Sequence, residues 1–322
     1  MVLFFAMGCT APTDSPFCGG DGIESQVALP EDEQAHQVPM EWWYWTGHLV
    51  TSDGRWFGFE HVFFLRELGG GFGFMAHSAL TNESEQIFLF DQAFGAWDSV
   101  EPSEGFSFAL GPHTASGFNG IDVLHSELDG ATFDLTLTDI KGPVLQHENG
   151  YHEYSFGGYT YYYSRPRMDI AGTINLDGVE ESVTGQGWFD RQWGALESVV
   201  DEGWDWFSIQ LDSMEEIMLF VSRTDAGAEL VGGSYVDEQC AIVPIGANEF
   251  TYQARDTWVS PHTGGSYPLN WDISTQGLDL QVNVVMEDQE LWGGPIDYWE
   301  GAAHVTGDRE GRAYIELTGY AL

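Results

Sequence analysis

The sequence predicts an all-β chain made of two related antiparallel domains, and three observations carry that expectation. An aromatic opening hairpin occurs twice. Glu41-Trp42-Trp43-Tyr44-Trp45-Thr46-Gly47-His48-Leu49 leads through a turn at Asp53-Gly54 into a strand ending Phe63-Phe64-Leu65-Arg66. Far downstream, Glu202-Gly203-Trp204-Asp205-Trp206-Phe207-Ser208-Ile209-Gln210-Leu211 leads into Ile217-Met218-Leu219-Phe220-Val221-Ser222-Arg223. The two copies also close alike, at Gly187-Trp188-Phe189-Asp190 and at Ala313-Tyr314-Ile315-Glu316. An echo at this spacing is too long for a solenoid unit and fits a duplicated domain. Finally, short alternating runs are punctuated by turn dipeptides, and no stretch has the period and caps of an amphipathic helix. Aromatic-lined β-domains are a place to keep an apolar small molecule.

Taken in chain order, residues 1–9 end in the apolar run Val2-Leu3-Phe4-Phe5-Ala6-Met7-Gly8-Cys9. A short apolar run, small residues and then Cys resembles the end of a lipoprotein signal, with Cys9 lipidated and Met1 internal to a longer signal. Lipidation of Cys9 leaves Cys18 and Cys240 as the pair available for a disulfide in an oxidising compartment. Residues 10–38 mix Pro, Gly, Ser and acids without periodicity and read as a flexible tether. From Met40 onward, Asp53-Gly54, Asp129-Gly130 and Asp177-Gly178 are hairpin signals. Clean alternation marks strands at Phe133-Asp134-Leu135-Thr136-Leu137-Thr138 and at Leu278-Asp279-Leu280-Gln281-Val282-Asn283-Val284. The domain seam is expected between Gly194 and Gly203, giving domains over 39–196 and 197–322.

Composition excludes several functions. The chain has 322 residues, 51 Asp and Glu against 10 Lys and Arg, and a net charge of −41, with Lys141 its single lysine. Such a surface repels nucleic acid and fits a halophilic or marine origin, where salt screens self-repulsion. The three cysteines match no zinc pattern and no two histidines stand at i, i+2, so neither a metal nor a cofactor is expected. No Gly-x-Ser-x-Gly elbow, dinucleotide fingerprint or P-loop occurs.

The sharpest candidate for chemistry is Gly185-Gln186-Gly187-Trp188-Phe189-Asp190-Arg191-Gln192-Trp193-Gly194. Trp188 and Asp190 share a strand face. If that face is a barrel interior, desolvation keeps Asp190 protonated near neutrality, able to give its proton to a double bond beside an aromatic wall. The alternative is that Asp190 pairs with Arg165, Arg167 or Arg191 and holds the domain junction. Tyr163 joins Trp188 as a wall and orienting group. Glu41, Trp43, Trp45, Tyr161, Trp204 and Trp206 are the candidate ligand-binding residues. Glu41 shares a face with Trp43 and Trp45, while His48 falls with Trp42 and Tyr44; either face can be the interior one.

Glu41 to Leu49, Tyr163-Ser164-Arg165-Pro166-Arg167, Trp188 to Gly194, Gly203-Trp204-Asp205-Trp206, Tyr298-Trp299-Glu300-Gly301-Ala302 and Glu316-Leu317-Thr318-Gly319-Tyr320 occur in this order. Together they resemble the AttH-like family, which is related to carotenoid 1,2-hydratases. The resemblance runs from about Pro39 to the C-terminus and implies two lipocalin-like β-barrels packed side by side. In the carotenoid hydratases an aromatic-x-Asp motif supplies the proton, and Trp188 and Asp190 stand at the matching positions. Those enzymes also use an upstream His-x-Trp, for which this chain has Tyr161, Tyr162 and Tyr163. The resemblance implies an exported protein that binds an isoprenoid, polyene or lipid and performs acid-catalysed hydration or isomerisation, with Asp190 the general acid. The competing expectation is a non-enzymatic carrier at the cell envelope, anchored through Cys9 and linked to an ABC-transport partner.

Overall fold

The computed structural model describes residue 18 and residues 24–97, 102–155, 157–196, 203–224 and 227–321. The lipidation reading of Cys9 therefore lies outside the described residues. The chain is all-β and antiparallel. Twelve strands make the first sheet: β1 (Met40–Thr51), β2 (Trp56–Leu68), β3 (Gly71–Asn82), β4 (Ile87–Ala96), β5 (Phe106–Leu110), β6 (His113–Phe118), β7 (Ile121–Leu128), β8 (Ala131–Asp139), β9 (Val144–Leu145), β10 (Tyr151–Glu153), β11 (Tyr159–Leu176) and β12 (Val179–Ala195). Ten make the second: β13 (Trp204–Leu211), β14 (Glu216–Thr224), β15 (Gly227–Val236), β16 (Ile242–Gly246), β17 (Phe250–Val259), β18 (Ser266–Thr275), β19 (Leu278–Val284), β20 (Glu290–Leu291), β21 (Tyr298–Gly307) and β22 (Gly311–Leu317). The first sheet curls into a nearly closed barrel and the second into a half-barrel.

The sequence echo is the echo of a closure. In each sheet the opening strand pairs with the last one: β1 with β12, from Met40↔Gly194 to Thr51↔Val183, and β13 with β22, from Asp205↔Leu317 to Leu211↔Gly311. Successive side chains point to opposite faces. In β1, Trp43, Trp45 and Leu49 enter the first barrel with Phe57, Phe59, Phe63, Phe133 and Phe189. In β13, Phe207, Ile209 and Leu211 enter the second with Trp271, Trp299 and Ile315. The other face of these strands is buried as well. Tyr44, Val62, Tyr162, Trp188, Trp206 and Met218 form a separate apolar cluster between the two sheets. The closing strands are therefore covered on both sides, which is why they are aromatic at odd and even positions alike.

Close approach of the sheets has specific causes. A Cβ added to Gly58 on β2 would lie 2.5 Å from the Ala302 Cβ on β21, so only glycine fits there. Polar contacts then cross the seam. Gln210 Nε2 donates to the carbonyls of Pro166 (2.7 Å) and Gly187 (2.9 Å), Thr81 Oγ1 donates to Gln289 Oε1 (2.9 Å), and Arg167 Nε donates to Glu216 (2.5 Å). Arg167 reaches across because a bulge between Arg165 and Met168 interrupts the β11 register. Lys141, nearly buried, bonds Glu216 and the Met214 carbonyl (2.7 Å). Cys18 and Cys240 form a disulfide that joins points 222 residues apart.

The tether expected over residues 10–38 does not extend through 24–38. This stretch packs on the first sheet: Val27 and Glu33 are buried, Arg165 binds both Glu33 (2.8 Å) and Asp139 (2.5 Å), and Trp43 Nε1 donates to the Glu33 carbonyl (3.0 Å). An ion pair with a residue more than a hundred positions away leaves no local periodicity to read.

The seam holds carboxyls without cations. Tyr44 OH donates to Glu300 Oε1 (2.7 Å), and Tyr298 OH donates to Glu60 Oε1 (3.2 Å) and lies 2.9 Å from His77 Nδ1. Burial pushes Glu60 up to about 8 and raises Glu300 well above the carboxylate range. Inside the first barrel, burial lifts Asp122 to about 7, although it accepts the Trp45 indole N–H (2.9 Å). Burial works the other way on histidine and holds His48, His61 and His77 at about 3.

Two predictions come from this packing. The buried acids bind protons in the fold that the unfolded chain has lost, so their contribution is complete at acid pH and disappears as pH rises through about 7 to 8. The buried histidines contribute above about 6.5 and lose that contribution as pH falls toward 3. Stability at fixed high salt should therefore peak between about pH 5 and 6.5 and decline toward pH 8, at about 1.4 kcal/mol per pH unit for each net proton. Thermal unfolding across pH checks this, and a midpoint still rising at pH 8 refutes it. Replacing Cys240 with Ser should cost about 2–5 kcal/mol, seen as a lower midpoint than that of the oxidised protein in denaturant titration.

Candidate active site at the seam between the sheets

Trp188 and Asp190 share a face of β12, as alternation requires, but that face is not a barrel interior. It meets the second sheet, and Asp190 lines a slot of about 80 Å³ at the seam. β1 contributes Trp42 and Tyr44, β2 contributes Phe64, β11 contributes Tyr162, and the second sheet supplies Trp204, Trp206, Phe220 and Glu316. The walls are mostly aromatic, and two carboxyls project among them.

Asp190 is 3% exposed and no arginine touches it. Its partners are neutral donors: Tyr162 OH to Oδ2 (2.6 Å), Ser164 Oγ to Oδ1 (2.5 Å) and Trp188 Nε1 to Oδ1 (2.7 Å). The register explains them, because Ser164 lies opposite Asp190 across β11 and β12. These donors are themselves held. Gln146 Nε2 donates to Ser164 Oγ (2.9 Å) and Trp206 Nε1 to Tyr162 OH (3.3 Å). Burial raises Asp190 and the three donors pull it back, leaving it at about 6. The three arginines that were candidate partners bind elsewhere: Arg165 to Glu33 and Asp139, Arg167 to Glu216, and Arg191 to Glu41.

The slot gathers only part of the residues expected at a site. Asp190, Trp204 and Trp206 line it, and Trp188 packs behind Asp190 with its indole N–H on the carboxylate. Trp43, Trp45, Glu41, Tyr161 and Tyr163 do not reach it. They occupy odd positions of β1 and β11 and so point into the first barrel. Trp43 and Trp45 are fully buried there, Glu41 is bonded to Arg191, Tyr161 stacks on Trp193 (5.3 Å between centroids), and Tyr163 packs on Phe189. A strand with aromatics on both faces gives no signal of which face lines a cavity and which is packed core.

Other slot residues had no assigned role. Tyr44 and Glu316 were legible only as parts of the two echoed strands. His147 left no signal at all. It sits in a short turn, His147–Gly150, where His147 (φ 52°) and Glu148 (φ 69°) both adopt left-handed backbone. The turn sets the His147 ring at the slot wall, 5.4 Å from Phe220 and 6.2 Å from Tyr162. His147 and Phe220 also border an outer recess of about 1050 Å³. Burial holds His147 at about 3, so it stays neutral. Among the described residues no group of three or more His, Cys, Asp and Glu is arranged to hold a metal ion.

Comparison with known proteins agrees with this architecture. A candidate AttH from Nitrosomonas europaea superposes with a TM-score of 0.83 at 29% identity, over 91% of this chain and 97% of its own. Kievitone hydratase from Nectria haematococca superposes with a TM-score of 0.74 at 19% identity, over 94% and 95%, a likeness of fold. Among curated proteins, none matches the sequence. The AttH-like family model matches residues 23–320, and the chain belongs to the AttH-like family.

Proposed function

We propose that this protein adds water to, or removes it from, a double bond of an apolar small molecule, with the reacting end held in the seam slot and Asp190 carrying one of the protons that the reaction moves. One observation carries the reading: Asp190 is a buried carboxyl in an aromatic slot, with neutral donors and no cation in contact. A carboxyl clamped by guanidinium would have spoken for a structural role. Protonation of an alkene makes a cation, and the faces of Trp204, Trp206 and Tyr44 are suited to stabilise it. The fold shared with kievitone hydratase supports hydratase chemistry on this scaffold. A slot of about 80 Å³ suits the end of a longer isoprenoid, polyene or phenolic molecule, with the remainder lying toward the outer recess.

The Cys18–Cys240 bond supports residence in an oxidising compartment. We extend the proposal to export, with Cys9 as a lipid anchor and a link to an ABC-transport partner.

The test uses kievitone and an acyclic carotenoid as probes, with mass spectrometry of products formed in isotopically labelled water. The wild type should incorporate one labelled water, and Asp190→Asn should lower turnover by about 10²- to 10⁴-fold while tryptophan quenching shows that binding is kept. Binding of the probes by wild type without any water incorporation would replace the enzyme reading with that of a carrier. Turnover unchanged in Asp190→Asn would remove Asp190 from the chemistry.

A further inference from the structure

The second half of the sequence echo has no role so far. Tyr314-Ile315-Glu316 closes the second sheet as Trp188-Phe189-Asp190 closes the first. The registers make the correspondence residue by residue. Tyr44 lies opposite Asp190 and Thr46 opposite Trp188; Trp206 lies opposite Glu316 and Ser208 opposite Tyr314. The two sheets meet through these faces, so each aromatic-x-acid strand sends its acid into the same slot. The slot is thus walled by two equivalent strand pairs, one from each half of the chain.

The halves differ at the neighbour of each acid. Across the next strand pair, Asp190 faces Ser164, and Glu316 faces Glu300. Ser164 donates a hydrogen bond that favours a carboxylate. Glu300 presents a second carboxyl, and two anions directly opposite on one sheet face repel unless a proton is held between them. Glu300 is fully buried, its Oε1 accepts from Tyr44, and its Oε2 has no partner. The groups facing the pair are Tyr44 from β1, Glu60 from β2, Asp190 from β12, Trp204 and Trp206 from β13, Tyr298 from β21 and Tyr314 from β22. No cation is among them.

Resting on the hydratase reading of the slot, we propose that Glu316 is its second catalytic residue: Glu316 supplies the proton to the double bond, and Asp190, as carboxylate, takes the proton released by the attacking water. The Glu316 O–H bond breaks as a C–H bond forms, and the cation left on the neighbouring carbon takes a C–O bond from water. The water's proton passes to Asp190. The net change is one water added and one proton moved from Glu316 to Asp190, reset through solvent as product leaves. Dehydration runs the same steps backward. The environments agree with this order: burial lifts Glu316 to about 7 against a single donor, the Trp204 indole, and lifts Asp190 only to about 6 against three donors.

Deuterium separates the roles. With the alkene probe that the wild type hydrates incubated in D₂O, Glu316→Gln should lose both deuterium entry at the alkene carbon and net hydration by at least about 100-fold. Asp190→Asn should lose net hydration and keep deuterium entry. Entry kept in Glu316→Gln and lost in Asp190→Asn would reverse the assignment and overturn the proposal, as would full hydration by Glu316→Gln. A second readout needs no substrate. In protein labelled with carboxyl-¹³C glutamate, the resonance that vanishes in Glu316→Gln belongs to Glu316, and Asp190→Asn, which removes the carboxylate facing it across the slot, should lower its titration midpoint. A midpoint unmoved by Asp190→Asn would also overturn the proposal, whereas failure of every probe in the wild type would count against the hydratase reading alone.

Discussion

Everything at the seam follows from strands that are buried on both faces. β1, β12, β13 and β22 each send alternate side chains into a barrel core and the rest against the other sheet. A sheet with one wet face can carry any polar residue there at little cost. Here the second face has lost its water, so each polar group must find a partner or change its protonation state. Asp190 finds three donors, Glu300 finds Tyr44, and Glu316 finds the Trp204 indole at the slot wall. Duplication of one barrel plan thus makes a dry chamber between the copies and places an acid from each in it.

The placement of cations completes this arrangement. A chain with 10 basic residues against 51 acids has few to spare. Arg165 binds the N-terminal segment, Arg191 locks Glu41 and lies 3.7 Å over Trp43, and Arg167 and Lys141 converge on Glu216 at the edge of the seam. None faces the slot. Had one of them done so, the carboxyls would be fixed as anions and the chamber would be an ion-pair site. Positive charge is used to hold segments and sheets together, and the slot is left with hydroxyl and indole donors, which allow a proton to come and go.

Much of the plan was legible in the sequence. The echo of the opening hairpins announced two related sheets, and period-two alternation put Trp188 and Asp190 on one face. Which face borders a cavity was not legible, since Trp42 and Tyr44 are as aromatic as Trp43 and Trp45, and the five candidate residues that point into the first barrel are packed there away from the slot. Other features depend on contacts that sequence does not encode locally. Glu33 meets Arg165 across 132 positions, the bulge after Arg165 turns Arg167 from barrel to seam, and His147 owes its position to left-handed backbone at two non-glycine residues. The meaning of Glu316 appears only once Glu300 is seen beside it and Asp190 across from it.

The lone lysine has a practical consequence. Lys141 lies nearly sealed against Glu216, with its ammonium shared between the two sheets. An amine-directed reagent therefore meets no freely accessible lysine side chain on a surface crowded with carboxylates. Acylation at Lys141 would report the moment when the barrels part, turning a scarcity of amines into a chemical clock for their breathing.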